Sequence, residues 1–135
     1  MNILPIEKRV QIIQLLVEGN SMRSVERIVG CSINTVTKLL VEVGQACAEY
    51  QDKVMRNLNC KRVQCDEIWS FVYAKERNVP VELKGVFGYG GVYTRTAIDA
   101  DTKLILSWFV GTRGSESAHA FISDLADRMA LTVCN

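Results

Sequence analysis

Up to Val43 the apolar residues recur every three or four positions, and from Val63 onward they stand in short runs and alternations instead. The first spacing predicts helices and the second predicts strands. Pro5 stands where a helix would begin, with Glu7 at the positive end of its dipole. Val10, Ile13, Leu16 and Val17, flanked by Ile12, form its apolar stripe, and Gly19-Asn20 stops the run. Ser21 caps a second helix, Met22 to Val29, with Val25, Ile28 and Val29 inward. Gly30-Cys31 supplies a tight turn. Ser32 then caps a third helix through Ile33, Val36, Leu39, Leu40 and Val43, with Gly44 at its end or inside a longer helix toward Tyr50.

After the polar Asn57-Leu58-Asn59 the pattern changes. Val63 to Tyr73 predicts a strand, Lys75 to Lys84 a charged irregular stretch, and Gly85 to Gly91 a flexible loop. That glycine cluster lacks the order of a phosphate-binding loop, and no helical pattern begins after it. Val92 to Ile98 and Leu104 to Val110 predict two strands joined by Asp99-Ala100-Asp101-Thr102, whose short polar residues suit a hairpin turn. Ser115 and Glu116 open a helix with Ala118, Phe121, Ile122, Leu125 and Met129 inward and His119 exposed. Ala130 to Asn135 begins a fourth strand. The fold class is therefore α+β: a front region of three short helices over 1–60, then a strand-rich region over 61–135.

Composition changes this picture little. Of 135 residues, 48% are hydrophobic and 23% charged, the profile of a soluble globular protein, with no apolar run long enough to cross a bilayer and no leader at the amino terminus. A cytoplasmic protein with no membrane partner is expected. Five scattered cysteines and a single histidine argue against a zinc site and a disulfide framework. Net charge is +1, with the basic excess in the front half, a weak pointer to nucleic acid.

The candidate chemistry sits in two places. Two short helices, a glycine turn and a third helix with a polar first turn describe a helix-turn-helix. Asn34, Thr35, Thr37 and Lys38 of the third helix would enter the major groove of double-stranded DNA, and Arg23 and Arg27 of the second would hold the backbone. The competing reading is a three-helix bundle used for packing or for a homo-oligomer. In the back half, Asp66-Glu67 interrupts an otherwise apolar strand. An ionised carboxylate in a covered strand needs a metal, a cation or hydrogen-bond donors. Because side chains alternate, only one of the two acids can serve a given site. Here the competing reading is an edge strand bearing two solvated acids.

A resemblance joins the two places. Val63-Gln64-Cys65-Asp66-Glu67-Ile68-Trp69-Ser70-Phe71-Val72, with Tyr93-Thr94-Arg95-Thr96-Ala97-Ile98-Asp99-Ala100-Asp101-Thr102-Lys103-Leu104, resembles the transposases of the insertion-sequence-one type, as do Val110-Gly111-Thr112-Arg113 and Ser117-Ala118-His119-Ala120-Phe121. This resemblance implies a partial ribonuclease H-like β-β-β-α core behind the helix-turn-helix. It implies DDE chemistry, in which three carboxylates hold two Mg²⁺ ions for phosphodiester cleavage and strand transfer at insertion-element ends. Asp66 matches the first of these acids, as catalytic and metal-binding residue. The second and third family acids fall after the position matched by Asn135, which implies a carboxy-terminally truncated, catalytically incomplete protein that keeps DNA binding. The alternative is a helix-turn-helix regulator or inhibitor of transposition.

Overall fold

Glu7, in the first turn behind Pro5, favours the opening of α1 (Ile6–Val17) in the computed structural model, which describes residues 4–130. Asn20 closes α1 by donating its amide nitrogen Nδ2 to the Leu15 carbonyl at 2.9 Å. α2 (Met22–Val29) starts on the Ser21 hydroxyl, which accepts from the Ser24 amide at 3.2 Å, and ends on Gly30 at φ 68°. A left-handed residue at that position turns the chain sharply at no side-chain cost, and the chain enters α3 (Ile33–Val54) three residues later.

These three helices enclose one core of Ile12, Val25, Val29, Val36 and Leu39, with Leu4, Ile13, Leu15, Leu16, Cys31 and Val43 packed partly against it. Four expected core residues are exposed instead: Val10 is 48% exposed, Val17 79%, Ile28 55% and Leu40 41%. The α1 stripe is rotated so that Ile12, rather than Val10, is wholly buried, because α1 has two overlapping apolar rows and packing selects one. The third helix is not short either. Gly44 faces open space, the residues after it are helix formers, and Gln45 donates to Glu49 one turn on at 3.1 Å, so the helix continues for 22 residues.

The second unit, Met55–Asn135, takes in residues 55–60 as well as the expected 61–135. The reason is a clasp. Leu58 donates to the Arg128 carbonyl at 3.0 Å and accepts from Ala130 at 2.9 Å, a single parallel bridge that binds residues 55–60 into this unit. Its strands β1 (Val63–Val72), β2 (Gly90–Asp99) and β3 (Ile105–Gly111) form an antiparallel sheet in the order β1-β2-β3. A register shift lies opposite Ala97 and Ile98. Helix α4 (Ser115–Arg128) packs on β3.

Asp99 ends β2 and caps the hairpin, accepting from the Asp101 and Thr102 amides at 3.3 Å and from the Thr102 hydroxyl at 2.6 Å. The Thr102 hydroxyl is the main reason its carboxyl sits below the ordinary range. Within α4 Phe121 is buried, whereas Ile122, expected inward, is 53% exposed, and Met129 follows the helix end. Among the described residues the protein is thus α+β, with four α-helices and a three-stranded antiparallel sheet. The fourth strand expected over Ala130 to Asn135 lies, all but Ala130, outside the described residues.

Candidate nucleic-acid interface and acidic strand

The turn between α2 and α3 is held from within. Glu26 on α2 accepts from the Ile33 amide at 3.0 Å, so a carboxylate of one helix satisfies an amide at the start of the next. The Ser32 hydroxyl accepts from the Asn34 amide at 3.2 Å. Glu26 was not singled out by the sequence; an acid seven residues ahead of a predicted helix start is the signal that would have marked it.

On this frame Asn34, Thr37 and Lys38 are exposed, and their i, i+3, i+4 spacing puts them on one side of α3. Thr37 donates its hydroxyl to the Ile33 carbonyl at 2.9 Å and stays exposed. Thr35 is only half-exposed, since it neighbours the buried Val36. Arg23 and Arg27 are exposed one turn apart on α2, with Arg27 donating to Ser24 at 3.2 Å. Of the six residues expected to touch DNA, five therefore present side chains to solvent, and Thr35 does so in part.

In the acidic strand the alternation separates the two carboxylates. Glu67 lies opposite Arg95 on β2 and pairs with it at 2.9 Å. The Arg95 side chain is buried and also donates to the Thr112 and Arg113 carbonyls at 2.9 and 3.3 Å, tying β1, β2 and the entry to α4 together. This structural ion pair was missed in the sequence. The lone cation within Tyr93-Thr94-Arg95-Thr96-Ala97, in a strand predicted to pair beside the acids, was its signal.

Asp66 belongs to the other side, in a cross-strand row with Thr96 and Trp108. The expectation of a buried acid is corrected here: Asp66 is exposed, as is nearly all of β1. β1 is the outer strand, paired with β2, and α4 packs on β3, so β1 stays exposed at nearly every position. The Asp66 carboxylate accepts from the following amide, Glu67, at 2.8 Å. Its row-mates Ile68 and Trp108 are 57% and 47% exposed, so the Asp66 side of the sheet is an open, partly apolar surface.

Two Mg²⁺ ions need several oxygen ligands converging at close quarters. Asp66 supplies one exposed carboxylate, its neighbour Glu67 is committed to Arg95, and no three His, Cys, Asp or Glu side chains converge as a metal-binding group among the described residues. The donor set of these residues does not fit a two-metal centre. Elsewhere, a cavity of about 350 Å³ lies beneath the glycine loop, lined by Trp69, Tyr93, Phe87, Tyr89, Glu76 and Arg113 among others. Glu76 there accepts from the Gly91 amide at 3.0 Å, and Gly90 (φ 86°) allows this close approach, since a Cβ would collide with the carboxylate. Residues 85–89 are thus a turn-rich connection that leads into β2, and Gly90 and Gly91 open that strand.

No helix among the described residues is long and apolar enough to cross a membrane. Comparison with protein-family models, with curated proteins and with solved structures finds no match.

Proposed function

We propose that this chain is a DNA-binding protein of the insertion-sequence-one transposase type, with Met22–Val43 acting as a helix-turn-helix on duplex DNA and the sheet as the opening of a ribonuclease H-like core. One observation carries the reading. Asn34, Thr37 and Lys38 project from one side of a helix whose first turn is braced by Glu26, behind a left-handed Gly30 turn. Such a helix can enter the major groove with donors aimed at base edges, while Arg23 and Arg27 neutralise phosphates.

A full-chain anisotropy titration with labelled duplexes tests this. Arg23→Ala and Arg27→Ala should weaken binding to all sequences and each lower the salt slope by about 1. Asn34→Ala and Lys38→Ala should lower affinity for the preferred sequence by roughly ten-fold or more, with discrimination lost at one position each. Affinity indifferent to salt and to all four substitutions ends the reading.

A second reading is a regulator or inhibitor that occupies element ends without cutting. The pairing of Glu67, the acid next to Asp66, with Arg95 favours it over catalysis by these residues alone. The two separate in a cleavage assay with Mg²⁺. Nicking lost in Asp66→Asn supports the transposase, and DNA binding with no nicking supports the regulator.

A further inference from the structure

α3 runs on well past the residues that close the helical core, and this extension has a pattern of its own. Leu40, Val43, Cys47, Tyr50 and Val54 follow one another at intervals of three, four, three and four residues. That alternation is the seam of a coiled coil, and it keeps all five side chains on one side of the helix. The seam is largely uncovered: Leu40 is 41% exposed, Tyr50 68% and Val54 45%, and the Cys47 thiol is free and exposed. Only Val43 packs partly against the core.

The surrounding charges select the partner. The positions that flank the seam are Gly44, Ala46, Gln51 and Lys53, whereas Glu42, Glu49 and Asp52 fall on the far side. Two small residues let a second helix approach closely, and no acid faces acid when the same surface is presented twice. Cys47 is also the midpoint of Leu40 to Val54, so the seam is nearly symmetric about its own centre.

We propose that residues 40–54 form a homodimer seam, paired with the same segment of a second copy of this chain. The seam is two heptads, about 22 Å of helix. An interface of that size holds no more tightly than about micromolar. The pairing would set two helix-turn-helix units on one DNA, the arrangement that two-fold related half-sites require.

The test uses the full chain. Sedimentation velocity should show a monomer–dimer equilibrium that shifts with concentration, and a short bismaleimide should trap a dimer at Cys47, because a two-fold pair meets there in either orientation. Cys47→Ser should abolish that trapped species. Tyr50→Glu should weaken self-association on the order of 100-fold, since it sets like charges against each other in the seam. Glu49→Lys, off the seam, should not, and circular dichroism should match wild type in both. A wild-type chain that stays monomeric at its solubility limit, or a dimer that survives Tyr50→Glu, overturns the proposal. A dimer trapped equally in Cys47→Ser does the same. None of these outcomes touches the DNA reading, which is judged by salt slope and sequence discrimination.

Discussion

The helical unit and the sheet unit solve the same problem to different degrees. In the first, three apolar stripes meet and bury Ile12, Val25, Val29, Val36 and Leu39 together. In the second, one helix protects one strand, Ala97, Leu106 and Phe121 are buried, and the Asp66 side of the sheet keeps Ile68, Val72, Trp108 and Val110 in water. Burial in the second unit leans on polar side chains instead. Arg95 joins Glu67 to two carbonyls, while Asp124 accepts from Ser107 on β3 and pairs with Arg128 one turn on at 2.8 Å. The contrast teaches where each unit is vulnerable: the first to lost methyl groups, the second to a lost charge.

The largest effect should come from the helical core. Ile12→Ala should remove about 2–5 kcal/mol, the range for emptying a fully buried aliphatic site, and accelerate hydrogen exchange across α2. Unchanged protection there would mean the core is not shared by the three helices. Next is the sheet's charged link. Arg95→Met should cost about 1–3 kcal/mol, because the Thr112 and Arg113 carbonyls lose their donor while the half-exposed Glu67 can be hydrated. A urea midpoint equal to wild type would deny the link its role.

Acid sharpens the comparison. Asp124 has its carboxyl held below the usual range, chiefly by the Arg128 hydrogen bond, and Asp99 is lowered mainly by Thr102. A depressed folded value means stability that is present above the unfolded value, near 3.9 for an aspartate, and lost as pH falls through the folded one. The second unit should therefore weaken below about pH 4, and Asp124→Asn should flatten part of that limb; an equally steep limb in the variant would exclude Asp124 as its source. The smallest effect belongs to Asp66→Asn, expected within about 0.5 kcal/mol because an exposed strand carboxylate has little to lose. A larger loss would place that carboxylate in an interaction with the fold.

Much of this was legible in the sequence. Gly19-Asn20, Ser21, Gly30 and Ser32 are local signals with local causes, and α1, α2 and the start of α3 fall where they predict. The hairpin turn was legible for the same reason, since Asp99 and Thr102 hold it through bonds of short range. What escaped was decided by distant partners. Periodicity gave α1 two apolar rows without saying which would meet Val25. The run around Asp66 looked like a covered strand because apolar content measures what a strand can bury, not whether anything lies over it. The buried polar residues Ser107, Ser117 and Arg95 escaped for a related reason: each depends on a partner on another element.

The bridge between Leu58 and Met129 has a topological consequence. It holds Leu58, ahead of β1, within hydrogen-bonding distance of the residues that follow α4, so the described part of that unit closes on itself like a ring with a clasp. A ring has no preferred opening. Joining residues 58 and 129 by a short linker and cutting within Lys84–Gly88 should give a circular permutant with the same sheet order.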